Sequence, residues 1–188
     1  LTPTGQWHEH GHDGTEPVVW LDVLDLPLIY YMETSYATEG NPQATTKAAI
    51  EQTYRRGGVV PYAGFARSEE DYPMIHYPWA DVRQVLETLA ASQPLGEPVQ
   101  VAYVNPENGL DCQNVLGYSA LMLRPGERLN LPVRSTAMVF HQIEGGVELE
   151  AEAQRFTLAD ADTCCIPGYT AIRLKNRSET EPAFLFIA

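Results

Sequence analysis

The second half of the chain is a series of short strand-like runs separated by turn residues. From Val99 onward the runs are VQVAYV, VLGYSALML, AMVFHQI, VELEAEA, QRFTL, TCCIP, TAIRLKN and PAFLFIA. The segments between them are rich in Pro-Gly, Gly-Gly and Asp, and no helical periodicity interrupts the series. Strands at this spacing predict an all-β domain, a small antiparallel sandwich or barrel, over residues 97–188.

The N-terminal half is less regular. Alternating apolar residues predict a strand from about Pro17 to Leu24, which Pro27 would end or bend. Residues 31–96 have the composition of a linker with helices, and one helix is predicted over Thr45–Tyr54. A second, amphipathic helix is predicted in WADVRQVLETLAAS, with these residues on one face: Val82, Val85, Leu86, Leu89 and Ala90.

Composition narrows the classes of function. The chain of 188 residues carries 25 acidic and 12 basic residues, a net charge of -13, which argues against binding a phosphate backbone. No apolar run approaches the roughly 20 residues of a membrane helix, and no signal peptide is evident. The three cysteines form no C-x-x-C pair. We therefore expect a cytoplasmic protein that binds neither nucleic acid nor membrane.

Two turn signatures in residues 97–188 match a known barrel motif. Gly126 and Gly145 have the separation of the glycines that bracket G-x5-H-x-H-x3-E-x6-G, the first cupin motif. Pro167 and Asn176 match the P and N positions of the second motif, G-x5-P-x-G-x2-H-x3-N. The domain resembles a cupin, a double-stranded β-barrel of the jelly-roll type.

The resemblance implies that this barrel has lost its metal. The four ligand positions hold residues that cannot bind iron, namely Pro132, Arg134, Met138 and Ile172. His141 falls outside the ligand register and is interpreted as a core or surface histidine. Arg134 or Arg173 could hold a small carboxylate by bidentate hydrogen bonds, but either could equally face solvent.

The opening stretch PTGQWHEHGHDG matches the second cupin motif at more positions than the segment from Pro167 to Asn176 does. Pro3, Gly5 and His8 occupy its P, G and H positions, and His12 stands where asparagine is usual. Residues 1–30 are therefore expected to be the C-terminal strands of a truncated first cupin barrel. Without that match, alternating histidines would more simply indicate a surface loop or an adventitious metal binder.

Two cupin barrels in tandem resemble the gentisate 1,2-dioxygenase family, which includes salicylate and 1-hydroxy-2-naphthoate dioxygenases. The matching segments are WHEHG, EPVVWLDVLDLPL, HYPWADVRQVL, YVNPENG and the RST before FHQIEGG. The resemblance covers a C-terminal portion of such an enzyme. It implies extradiol-type cleavage of an aromatic ring between its carboxyl-bearing and hydroxyl-bearing carbons, with Fe(II) and O2.

The resemblance also implies roles for individual residues. His8 matches an iron ligand, and His10 matches a residue that contacts the substrate carboxylate or orients oxygen. Asp22, in WLD, matches an acidic residue that could orient a histidine ring. Trp7 and Trp20 are expected to pack the barrel rather than touch substrate. His12 is interpreted as a polar loop residue.

The first cupin motif of that barrel, whose H-x-H pair would supply two further iron ligands from a neighbouring strand, is absent from the chain. We therefore expect a fragment, a remnant or one of two associating chains, with no firmly bound iron and no ring cleavage in isolation. The expected partners are a small aromatic carboxylate and O2, with a homo-oligomer or pairing with the missing half. The alternative is a metal-free cupin module for structure, assembly or small-carboxylate binding. The sequence leaves open which aromatic acid is the substrate.

Overall fold

The structure is a computed structural model that describes residues 1, 10–36, 38, 76–105 and 109–188. Two compact units can be separated. The first comprises Leu1–His76 and Asn105–Leu116, and the second comprises Tyr77–Val104 and Gly117–Ala188. The domain boundaries predicted after residues 30 and 96 stay a prediction.

The second unit is a double-sheet β structure whose strands, among the described residues, all pair antiparallel. The strands are β1 Val99–Ala102, β2 Ser119–Leu123, β3 Arg128–Leu131, β4 Met138–Glu144, β5 Val147–Ala151, β6 Gln154–Leu158, β7 Thr163–Ile166, β8 Ile172–Asn176 and β9 Ala183–Ile187. One sheet has the order β1-β2-β9-β4-β7 and the other the order β3-β8-β5-β6. The predicted all-β architecture is confirmed.

Alternation along β5 turns one of its faces toward the core. In β5, Val147, Leu149 and Ala151 are buried, while Glu148 and Glu150 are only partly buried. Side chains at i and i+2 share a face of a strand, so these three residues turn to one side. In β2 and β9, by contrast, four of the five residues are buried. The resulting core includes Leu121, Phe140, Leu149, Leu174 and Leu185, all at most 1% exposed.

Strand β3 lies in a segment that was not predicted as a strand. The turn signature at Gly126 gives no sign of a strand after it, yet Arg128–Leu131 pairs antiparallel with β8. In this short segment only Leu129 is a buried apolar residue, whereas Arg128 and Asn130 are exposed. A four-residue run with so little apolar alternation carries a weak local signal, and pairing with β8 decides its conformation.

The amphipathic helix is confirmed at Trp79–Ser92, and it packs on the five-stranded sheet. Leu86 is fully buried against Val99, Met122 and Phe184 of the sheet. Val85, which was predicted to share the buried face, is instead 54% exposed. The buried stripe begins at Trp79, which leaves Val85 at its edge.

Side chains from the sheet hold both ends of this helix. Near its start, the Trp79 indole N–H donates to Glu144 Oε1 at 2.7 Å. At its end, the Arg124 guanidinium donates to the carbonyl oxygens of Ala90, at 3.1 Å, and Gln93, at 2.8 Å. A cation at this position complements the negative end of the helix dipole and satisfies carbonyls that lack a partner within the helix.

The described part of the first unit contains one short helix, Leu26–Tyr31. The strand predicted over Pro17–Leu24 is wrong, because this segment has no regular secondary structure and no strand partner among the described residues. Pro27 lies in the first turn of the helix instead of ending a strand. A strand needs a neighbouring strand whose backbone accepts and donates its hydrogen bonds. An alternating sequence does not guarantee that such a neighbour is present. The helix predicted at 45–54 lies outside the described residues.

Across the described ranges, the structure contains no helix whose length and apolar character would let it cross a membrane.

Candidate functional site

The first unit brings together His10, Trp20 and Asp22. The imidazole of His10 stacks on the indole of Trp20, with ring centroids 4.8 Å apart and planes 10° apart. Its Nε2 lies 3.9 Å from Asp22 Oδ1. Trp20 and Asp22 are two residues apart in the sequence WLD, so one short segment lies against both the face and the edge of the imidazole ring.

The two contacts differ in kind. A separation of 3.9 Å is an ion-pair distance but exceeds that of a hydrogen bond, so Asp22 acts on His10 electrostatically or through an intervening water. The near-parallel stack is a direct contact of ring faces and is typical of aromatic pairs. The side chains of His10 and Asp22 are 42% and 49% exposed, which leaves both accessible to a ligand. Such a site can make a hydrogen bond to a ligand through the edge of the imidazole ring.

Of the other histidines in the opening stretch, only His12 lies within the described residues. His8, the predicted iron ligand, lies outside the described residues, as do Pro3, Gly5 and Trp7. His12 is exposed, and its Nε2 lies 2.7 Å from the carbonyl oxygen of Glu16. That contact spans four residues, and it is the local contact expected of a polar loop residue.

Sequence reasoning missed the part that Trp20 plays in this arrangement. It was interpreted as a barrel-packing residue, but it is 53% exposed and stacks on His10. The available signal was the spacing of Trp20 and Asp22, which would direct both side chains to one side of an extended segment.

The described residues contain no group of three His, Cys, Asp or Glu side chains placed to hold a metal ion. In the second unit, Ile172 is buried and Met138 packs against the same apolar core, so hydrocarbon occupies two of the four cupin ligand positions. Pro132 and Arg134 are exposed. These four residues do not fit an iron ion.

The arginines proposed for a carboxylate pocket face outward or pair elsewhere. The Arg173 side chain is 70% exposed and donates to Glu150 Oε1 at 3.2 Å on the outer face of the four-stranded sheet. Arg134 is exposed in the loop before β4. His141 lies with Nδ1 2.9 Å from the Thr163 hydroxyl oxygen, a contact between neighbouring strands.

No family model matches the chain. Among curated proteins, a gentisate 1,2-dioxygenase from Ralstonia sp is 58% identical over 188 residues, covering 100% of this chain and 53% of the relative. A 5-aminosalicylate 1,2-dioxygenase from Comamonas sp is 27% identical over 172 residues, covering 90% and 46%. A 1-hydroxy-2-naphthoate 1,2-dioxygenase from Nocardioides sp. (strain KP7) is 27% identical over 189 residues, covering 99% and 49%.

Among solved structures, a salicylate 1,2-dioxygenase from Pseudoaminobacter salicylatoxidans matches with a TM-score of 0.72 and 22% identity. The match covers 87% of this chain and 47% of that one. Together with the two antiparallel sheets, this match shows the cupin fold predicted from the sequence.

The chain is therefore similar over its length to gentisate 1,2-dioxygenases and related 1,2-dioxygenases, and the resemblance predicted from the sequence is confirmed. The chain spans about half the length of the curated relatives it matches.

Proposed function

We propose that the chain is the C-terminal portion of a gentisate 1,2-dioxygenase-like enzyme, which cleaves the ring of a hydroxylated aromatic carboxylic acid with Fe(II) and O2. The observation that carries this proposal is 58% identity over the whole chain to a gentisate 1,2-dioxygenase. Gentisate is the first substrate to test. The alternative, a metal-free module for structure, assembly or carboxylate binding, is not favoured, because the curated relatives are ring-cleaving enzymes.

In this proposal His8 supplies one imidazole to the iron, and the rest of the enzyme supplies the other ligands. The iron-binding role of His8 is supported by its position in the P-x-G-x2-H pattern that begins at Pro3. Fe(II), when bound, supplies a Lewis-acid centre with open positions for substrate and O2. The second barrel takes no part in binding iron, since its ligand positions hold Pro132, Arg134, Met138 and Ile172.

His10 and Asp22 act on the substrate side of the site. The edge of the His10 imidazole can donate a hydrogen bond to the substrate carboxylate or to oxygen. Asp22, with Oδ1 3.9 Å from His10 Nε2, lies beside that edge of the ring and restricts the direction in which it points. Both side chains are about half exposed, which leaves room for a ligand to approach.

The proposal can be tested by measuring O2 uptake by the complete enzyme. Protein that contains residues 1–188 and the upstream barrel is stripped of metal and reconstituted with Fe(II), and O2 uptake is followed with gentisate, salicylate and 1-hydroxy-2-naphthoate. We expect uptake with at least one acid, dependent on Fe(II), and none from residues 1–188 alone. No O2 uptake with any of the acids by the reconstituted enzyme would overturn the proposal.

The assembly and the compartment are further proposals. We propose a homo-oligomer, or pairing with the missing half, which light scattering on the complete enzyme would measure. Cys112, Cys164 and Cys165 form no disulfide, and this supports a reducing, cytoplasmic setting.

A further inference from the structure

We propose that Trp20 is a positioning residue that fixes the plane of the His10 imidazole by stacking, so that His10 meets its ligand with a ring edge. The inference deepens the proposed function and depends on the role of His10 in it. The two rings stack nearly parallel, with 10° between their planes and 4.8 Å between their centroids.

Two side-chain torsions, χ1 and χ2, set the direction and the plane of an imidazole ring. Asp22 lies 3.9 Å from Nε2, and a contact of that length restricts the ring plane weakly. Trp20 covers one face of the ring, so rotation of His10 about its Cβ–Cγ bond would break the stack. Trp20 therefore sets the plane, while Asp22 favours one direction of the ring edge.

The surroundings of Trp20 argue against a purely structural role. The residue is 53% exposed, and its neighbours Val19 and Leu21 are 94% and 47% exposed. Among the described residues around it there is no buried apolar cluster for the indole to join, since both core clusters lie in the second unit. Replacing the indole should therefore disturb His10 more than it disturbs folding.

The first test is made on the complete enzyme before metal or substrate is added. An indole stacked on an imidazole shifts the ring protons of His10 upfield in the NMR spectrum. We expect Trp20→Leu to remove this shift and Trp20→Phe to keep part of it, at one constant pH. Val19→Ala is the matched control, since it removes an exposed neighbour that has no ring, and it should leave the His10 protons unchanged. Unchanged His10 protons in Trp20→Leu would overturn the proposal.

The second test is a double-mutant cycle in the complete reconstituted enzyme. We expect Trp20→Leu to lower kcat/KM by about threefold to tenfold, the range an aromatic pair is worth, and Trp20→Phe to recover most of that loss. In a His10→Ala background, Trp20→Leu should have no further effect, because it acts through His10. Independent, multiplicative losses would overturn the positioning role.

The two tests separate the proposal from the function on which it depends. If His10→Ala leaves turnover unchanged, the proposed role of His10 fails, and with it the functional part of the inference. The NMR result then still decides whether Trp20 holds the ring. If His10→Ala abolishes turnover while Trp20→Leu has the wild-type kcat/KM, the proposed function stands and the positioning role is overturned.

Discussion

Asn176, at the asparagine position of the second cupin motif, stabilises the fold through its side chain. Its side chain is fully buried, and its Nδ2 donates to the carbonyl oxygens of Leu123, Arg124 and Glu181 at 3.2, 3.1 and 2.8 Å. Its Oδ1 accepts from the backbone N–H of Ser178. One amide thus ties the end of β8 to the turns that follow β2 and precede β9.

We expect Asn176→Ala to destabilise the second unit by about 1–3 kcal/mol, because it leaves buried carbonyl groups without partners. Urea denaturation monitored by circular dichroism measures the loss. Asn130→Ala, an exposed asparagine on β3, is the matched control and should change stability by less than about 0.5 kcal/mol. Equal effects of the two substitutions would show that the hydrogen bonds of Asn176 do not stabilise the fold.

Gly168 lies where the turn before β8 approaches the loop before β4. A Cβ at this position would stand 2.1 Å from the carbonyl oxygen of Ser135, a backbone atom that cannot move aside alone. We expect Gly168→Ala to lower the stability of the second unit by about 1–3 kcal/mol, because the new Cβ would overlap this oxygen. Gly146→Ala is the control, because the nearest atom to its Cβ would be 3.6 Å away. Thermal denaturation of the two variants compares them, and equal melting temperatures would contradict the close approach.

Neighbouring cysteines on β7 should differ in reactivity. Cys164 packs against the apolar core, and burial raises the pKa of its thiol, as does the nearby Cys165 to a smaller extent. A raised pKa leaves less of the reactive thiolate at any given pH below it. Cys165 is exposed. We expect iodoacetamide at pH 8 to label Cys165 before Cys164, as peptide mass spectrometry would show, and the reverse order would contradict this placement.

At the scale of elements, the helix Trp79–Ser92 depends on a nearly buried ion pair at its C-terminal end. The side chains of Arg124 and Glu127 are 13% and 5% exposed, and Arg124 Nη1 lies 2.8 Å from Glu127 Oε1. Glu127 also accepts from the backbone N–H groups of Arg124 and Gly96. The pair therefore joins the β2–β3 turn to the segment that follows the helix.

Replacing one partner of that ion pair should lower the stability of the unit more than replacing both partners. We expect Arg124→Met to destabilise the unit by about 3–5 kcal/mol, because Glu127 is left as a buried charge without its cation. Adding Glu127→Gln should recover part of the loss. Arg128→Met, on the exposed side of β3, is the matched control and should be nearly neutral. Chemical denaturation measures all of these variants, and an Arg124→Met variant as stable as Arg128→Met would contradict the account.

Elements were predictable where the local pattern and the tertiary environment agree. Val147, Leu149 and Ala151 alternate with glutamates, and β5 is a strand with those three residues buried. Pro17–Leu24 alternates as well but has no pairing partner in the described structure, so it is irregular. Pairing between distant segments decides such cases, and a single sequence does not contain that information.

At the scale of the whole molecule, the family could be predicted from motif spacing, whereas the arrangement of the site could be predicted only in part. His10 and Asp22 were both predicted as site residues, and the structure brings them within 3.9 Å of each other. Their roles in catalysis stay proposals. The stack of Trp20 on His10 was missed, because a tryptophan in an apolar run indicates core packing unless its partners are known.

We propose that His8 of this chain supplies one iron ligand to a ring-cleaving dioxygenase. The most direct measurement is the iron content of the complete enzyme after reconstitution with Fe(II) and gel filtration, compared among wild type, His8→Ala and His12→Ala. The account predicts stoichiometric iron in wild type and in His12→Ala, and a large loss of iron in His8→Ala with the fold unchanged by circular dichroism. Full iron occupancy in His8→Ala would contradict it.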